Sequence, residues 1–160
     1  MTIIQPKKKV TTSKEDYLKA IWSLSERRAE EKSEAGTNDL SALLGVSPPA
    51  VSKMLKQMER QSLVAHTPYH GVRLTKKGRK VALKIVRRHR LLELFLAQVL
   101  GYSLDTVHDE AERLEHYISD EFEARIDKLL NFPVKCPHGS LIPNREGIFN
   151  KSEPPALAGR

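Results

Sequence analysis

One stretch of the sequence concentrates side chains that can ligate a metal ion. At 100° per residue, a helix over this stretch would place two imidazoles and two carboxylates within an arc of roughly 100°, with no apolar side chain among them. Nitrogen and carboxylate donors together suit a divalent first-row transition metal. The four residues are His108, Glu112, Glu115 and His116. Within them His108 and Glu112 have the spacing His-x-x-x-Glu, and the same spacing occurs earlier at His89 and Glu93.

Other interpretations of this arc stay open. It could be a solvated acidic face with incidental histidines, or belong to a metal-binding enzyme or storage protein. The HExxH motif of zinc proteases and the paired Glu-x-x-His of di-iron bundles are both absent from the sequence. We therefore expect no catalytic metal and no enzyme. Cys136 and His138 lie two residues apart in C-P-H-G, but no second pair completes a zinc site, and we interpret this run as a structural loop.

The elements that must position these residues can be read from apolar spacing and turn residues. Apolar side chains at three- and four-residue intervals predict helices, and Pro68-Tyr69-His70-Gly71 between two short β-type runs predicts a hairpin. Phe132-Pro133 ends the last helix. The predicted helices run from about residue 14, over 37–44, from 48 to about 60, over 75–99 and over 104–130, with the hairpin runs at 63–66 and 72–74.

The first half of the chain predicts a winged helix-turn-helix, because a helix, a glycine turn, a second helix and a hairpin follow in that order. Ser47 would cap the second helix, whose outward side chains are small at its start and basic later, as suits an approach to base edges. A small helical hairpin with a solvated face is the alternative. The expected DNA contacts are Ser47, Pro49, Ala50, Lys53 and Lys56, with Lys76, Lys77, Arg79 and Lys80 as nonspecific phosphate contacts.

Charge divides the chain in the same way. Residues 1–80 carry 16 basic and 8 acidic side chains, whereas residues 81–160 carry 11 and 12, so the basic half suits a polyanion. Within the second half, residues 105–127 hold nine acids and two arginines. Such a stretch is expected to attract cations.

Composition limits the remaining classes. The chain has 160 residues, of which 39% are apolar, and no apolar run approaches the roughly 20 residues needed to cross a bilayer. Its start lacks the apolar core of a signal peptide, and its one cysteine cannot form an internal disulfide. We therefore expect a cytoplasmic protein.

Four runs of sequence together resemble one family. They are E-D-Y-L at 15–18, R-R-H-R-L-L-E at 87–93, H-D-E-A-E-R-L-E-H at 108–116 and C-P-H-G-S-L-I-P-N at 136–144. These runs are similar to those of the metal-dependent repressors typified by the diphtheria toxin repressor and the manganese transport regulator, over about residues 13–144.

The resemblance implies a dimeric winged-helix repressor that binds an operator when Mn(II) or Fe(II) is plentiful and releases it when the metal is scarce. The implied primary group of ligands is Asp16, Glu112, Glu115 and His116. The implied ancillary group is His89, Glu93 and His108. A metal held by Asp16 and Glu112 would fasten the first helix to the dimerisation half and so fix the spacing of two recognition helices.

Differences from the family refine this expectation. Iron-type members have methionine and cysteine at the positions of Asp16 and Glu112, so the carboxylates here resemble the manganese type. Lys19 stands where the manganese type has a second carboxylate, which argues against a closely bridged two-metal cluster. Further ancillary ligands of the iron type come from an additional C-terminal domain, so here we expect weak occupancy or completion by water.

The expected architecture is mainly α with a small β-hairpin wing. It comprises a winged helix-turn-helix DNA-binding domain at 1–79, a helical dimerisation and metal-binding domain at 80–144, and an irregular tail at 145–160. The apolar faces of 91–100 and 104–130 would form the dimer interface. A metal-independent winged-helix regulator that senses a small ligand would share the first half and stays open as the alternative function.

Overall fold

The computed structural model describes residues 12–27 and 34–150, apart from the side chains of 12, 26 and 27. The expected N-terminal arm, much of the first linker and the end of the tail therefore lie outside the described residues. Six helices and two strands occur in the described part: α1 (Thr12–Arg27), α2 (Thr37–Leu44), α3 (Pro48–Arg60), β1 (Val64–Thr67), β2 (Gly71–Leu74), α4 (Lys76–Gln98), α5 (Leu104–Leu114) and α6 (Asp120–Leu129). The predicted mainly α architecture with a hairpin is confirmed.

The fold divides into two compact units, residues 1–81 and 82–160. None of the described helices is both long enough and apolar enough to cross a membrane.

The helix-turn-helix of the first unit is set by its turn residues. Gly45 adopts φ +66° after α2, a left-handed conformation that glycine reaches at little cost. Pro48 then begins α3, and the Ser47 hydroxyl accepts a hydrogen bond from the Ala50 amide. Val51 and Met58 are fully buried, so one face of α3 packs against the core and the opposite face is left outward.

The hairpin of the first unit is held on one edge by a residue that precedes α2. Strands β1 and β2 pair antiparallel with Val64 opposite Leu74, and Ala35 adds a bridge to Val72 on the far edge of β2. Gly71, at φ +114°, lies so close to this bridge that an added Cβ would be 2.5 Å from the Ala35 carbonyl oxygen. The wing is therefore a two-stranded hairpin with one added bridge from Ala35, and Gly71 occupies a position where no side chain fits.

The second unit differs from the sequence prediction at one helix. The single helix expected over 104–130 is two helices, α5 and α6. Ser119 caps α6 by accepting a hydrogen bond from the Phe122 amide, and acidic residues occupy the first turn, where the helix dipole favours them. The apolar core of this unit includes Leu91, Leu92, Val107, Ala111 and Ile126.

A buried ion-pair network joins α4 to α6 in the second unit. The Arg87 and Arg88 Nε atoms lie 2.8 and 2.9 Å from the two carboxylate oxygens of Glu123, and all three side chains are buried. Arg87 also contacts Asp127 at 2.9 Å and donates to the Pro143 carbonyl, and Arg88 contacts Asp120 at 2.6 Å. Part of the acidic stretch that was expected to attract cations is thus neutralised by the protein's own arginines.

Candidate metal centre and nucleic-acid interface

Helix α4 brings the first two donors together. It starts after Thr75, whose hydroxyl accepts a hydrogen bond from the Gly78 amide, and it continues unbroken through His89 and Glu93. These two side chains lie one turn apart, are both buried, and are in contact through His89 Nε2 and Glu93 Oε1. The predicted i, i+4 pair is therefore a contact inside the second unit.

Helix α5 adds His108 to this pair. His108 Nδ1 lies 3.1 Å from His89 Nε2 and 3.8 Å from Glu93 Oε1, and one ligand atom from each of the three residues lies within 4.8 Å of the others. The His108 side chain is 53% exposed, in contrast to 8% for His89 and 4% for Glu93. Two residues of the ancillary group are therefore buried, and the third, His108, is accessible to solvent.

His138 is a neighbour of this group that the sequence analysis does not anticipate. Its Nδ1 lies 2.6 Å from Glu93 Oε2, within a loop held by the hydrogen bond from the Cys136 amide to the Ser140 carbonyl. The C-P-H-G run contains the signal, but no local spacing relates it to a residue 45 positions earlier. Its interpretation as a purely structural loop is incomplete, because it brings an imidazole to the cluster.

The Glu93 carboxylate is surrounded by imidazoles. Burial alone would raise the pKa of Glu93, but the hydrogen bond with His89 and the charges of His89, His138 and His108 outweigh burial and lower that pKa. Among the described residues, Glu93 Oε2 has no donor in hydrogen-bonding geometry, even though His138 lies close to it. An ionised, buried carboxylate oxygen without a donor beside three imidazoles fits a divalent transition-metal ion.

Glu115 and His116 follow directly after α5 and are both buried. Glu115 Oε1 lies 3.4 Å from His116 Nε2, and Glu115 Oε2 lies 2.5 Å from His89 Nδ1. Glu112 lies on the solvent side of α5, 49% exposed, with Oε1 3.2 Å from His108 Nε2. Of the expected primary group, the structure thus places Glu115 beside His116 and Glu112 beside His108, and Asp16 lies on α1 of the first unit.

The DNA-binding residues expected on α3 share one exposed face. Ser47, Pro49, Ala50, Lys53 and Lys56 are all exposed. Lys76 and Lys77 at the start of α4 are exposed too, and Lys77 Nζ donates to the Gln61 carbonyl at 2.9 Å. This face combines small side chains with positive charge, which is what a helix needs to approach base edges between phosphates.

The wing carries further exposed groups that the sequence analysis did not single out. Tyr69 at its tip is fully exposed in a left-handed conformation, with φ +66°. His66, His70 and Arg73 are also exposed. The wing therefore offers an aromatic ring at its tip and a guanidinium on β2 to a partner.

The fold and these two sites define a class of protein: a winged helix-turn-helix chain with a second, helical unit that carries metal-ligating side chains. Two family models match the chain. They are the iron dependent repressor N-terminal DNA binding domain over residues 9–72 and the iron dependent repressor metal binding and dimerisation domain over residues 75–144. The chain belongs to this family of iron-dependent repressors.

Individual relatives agree with this assignment. The chain is 35% identical over 122 residues to the HTH-type transcriptional regulator MntR of Bacillus pumilus, covering 76% of this chain and 81% of the relative. It is 34% identical over 146 residues to the diphtheria toxin repressor of Corynebacterium efficiens, covering 88% of this chain and 60% of the relative. The chain thus spans about 60% of the length of that longer repressor. Both relatives are regulators of transcription rather than enzymes.

A solved structure shows the same fold. A manganese-dependent transcriptional repressor in complex with manganese is 45% identical, with a TM-score of 0.78 over 89% of this chain and 63% of its own. The resemblance inferred from the four sequence runs is confirmed.

Proposed function

We propose that this chain is a metal-responsive transcriptional repressor of the cytoplasm that binds operator DNA as a homodimer when Mn(II) or Fe(II) is bound and so controls metal homeostasis. The observation that carries this proposal is the occurrence, in one chain, of a winged helix-turn-helix with an exposed basic face and a buried histidine–glutamate cluster. Similarity to repressors whose names specify iron or manganese supports it.

The proposed metal ligands are those of the two groups. The contacts among His89, Glu93 and His108 support the ancillary group, and His138 is a candidate to complete it in place of water. The Glu115–His116 contact supports part of the primary group. The support for Asp16 and Glu112 is their residue type and the family resemblance.

The bound ion would supply a doubly charged centre that holds imidazoles and carboxylates together. An ion ligated by Asp16 as well as by Glu115 and His116 would restrict the freedom of the recognition helix α3. Because operator half-sites are about one duplex turn apart, that restriction lowers the entropic cost of binding. Operator DNA must then raise the affinity for metal by the same factor.

We expect the chain to be a dimer even without metal. An exposed apolar run lies between α4 and α5 and extends to the first residue of α5; it consists of Val99, Leu100, Tyr102 and Leu104. Such a run is typical of an interface between copies. Light scattering should give about twice 18.1 kDa. Leu100→Glu should shift the mass toward that of the monomer, whereas Leu43→Glu, at an exposed apolar position of α2, should not. A monomeric wild-type chain would contradict this proposal.

The test of the proposed function is operator selection from genomic DNA with and without Mn(II), followed by anisotropy titrations on the selected sequence. Operator binding should require a divalent metal ion, and chelator should reverse it. Other divalent first-row ions should replace Mn(II), because their intrinsic affinities for such ligands overlap. Lys53→Ala on α3 should weaken binding, whereas Lys128→Ala on α6 serves as a control. Equal binding in chelator would favour the metal-independent regulator instead.

A further inference from the structure

His89 faces two different groups of the second unit with its two ring nitrogens. Nε2 points to the other two residues of the ancillary group, in contact with Glu93 Oε1 and 3.1 Å from His108 Nδ1. Nδ1 lies 2.5 Å from Glu115 Oε2, on the other side of the ring. One imidazole therefore touches both the ancillary group and a carboxylate of the primary group.

The other oxygen of that carboxylate faces His116. Glu115 is completely buried, with Oε1 3.4 Å from His116 Nε2. Because a buried carboxylate cannot turn to water for a replacement donor, the hydrogen bond at Oε2 controls how Oε1 is presented. The position of the His89 proton therefore affects the geometry at His116.

We propose that His89 couples the two metal sites, so that an ion bound at His89, Glu93 and His108 raises the affinity of Glu115 and His116 for a second ion. This coupling rests on the proposed function, since it assumes the two groups of ligands. With Nε2 serving as a ligand, His89 would keep one ring orientation and carry its proton on Nδ1, which would donate to Glu115 Oε2. The Glu115 carboxylate would then already be oriented when a second ion binds, so the binding free energy of that ion would not be reduced by the cost of ordering the side chain.

Two substitutions of His89 separate its two contacts. The side-chain amide of glutamine reaches about as far as Nε2, so His89→Gln keeps a ligand atom toward Glu93 and loses the donor toward Glu115. The amide of asparagine reaches about as far as Nδ1, so His89→Asn keeps the donor toward Glu115 and loses the ligand. A third variant, Glu93→Gln, weakens the ancillary group through a residue whose contacts described above are with His89 and His108 of that group and with the neighbouring His138.

The experiment is a Mn(II) titration of the full chain without DNA, by calorimetry, with free Mn(II) counted by electron paramagnetic resonance. The wild-type chain should bind two ions with positive coupling of about tenfold, within the usual range for linked sites. Glu93→Gln should lower the Mn(II) affinity of the remaining site, at Glu115 and His116, about tenfold, which is the usual effect of losing a supporting contact. His89→Gln should bind two ions independently, and His89→Asn should keep the site at Glu115 and His116. The exposed Glu121→Gln should behave as wild type.

The outcomes are distinguishable. Unchanged affinity at the remaining site of Glu93→Gln, or two independent sites in the wild-type chain, would overturn the coupling and leave the proposed function intact. A wild-type chain that binds no Mn(II) would overturn both. Zn(II) loading adds a direct readout: a low-field proton resonance from His89 Nδ1 should sharpen when the ion binds in wild type, and its absence would contradict the proposed hydrogen bond.

Discussion

Glu115→Gln should abolish metal-dependent operator binding, with a loss of more than about a hundredfold in the affinity measured at saturating Mn(II) for the wild type. The side chain is fully buried and contacts His116 with one oxygen and His89 with the other. Glutamine preserves its size but removes the charge that a divalent ion requires. Anisotropy titrations of the selected operator at increasing Mn(II) provide the measurement.

Two histidine variants rank the sites in the same assay. His116→Ala should match the loss seen with Glu115→Gln, because both residues belong to the proposed primary group. His89→Ala should cause a smaller loss, since it removes the hydrogen bond to Glu115 Oε2 but none of the proposed primary ligands. If His89→Ala proved the most damaging change, the ranking of the two sites would be wrong.

Glu123→Ala should destabilise the protein by about 3–5 kcal/mol, the usual effect of breaking a buried ion pair. Its carboxylate lies within 2.9 Å of both Arg87 and Arg88, and its removal would leave two buried guanidinium groups without that partner. The free energy of unfolding in urea is the quantity to measure. Light scattering on the same samples separates unfolding from dissociation.

A matched control lies two residues earlier on the same helix. Glu121 pairs with Arg125 at 2.7 Å, but both side chains are more than 70% exposed. Glu121→Ala should therefore change the stability by only about 0.3–0.5 kcal/mol. If Glu123→Ala were as stable as this control, water or a relaxed backbone would be replacing the lost carboxylate as the partner of Arg87 and Arg88.

Local sequence signals predicted most of the fold. The bounds of α2 and α3 follow from Gly45, Ser47 and Pro48, which fix the backbone within one turn of themselves. The break between α5 and α6 was missed because the apolar spacing continues across it. Ser119, followed by acidic residues, carried the missing signal, since this combination marks the start of a helix.

Sequence spacing predicted only those contacts of the candidate site that join residues of one helix. His89 and Glu93 are four residues apart on one helix, so their contact follows from helical geometry. The approach of His138 to Glu93, and of Arg87 to Glu123, joins segments separated by tens of residues. Such pairs depend on tertiary packing, which no local period encodes.

The uneven burial of the ancillary group bears on the time an ion would spend there. His89 and Glu93 are held inside the unit, but half of the His108 side chain faces solvent. An exposed ring changes rotamer in nanoseconds or less once it is free, and a water molecule can take its place without any helix opening. Release would then begin at the bond to this outer imidazole and continue with the bonds to the two buried ligands, without any unfolding of the unit.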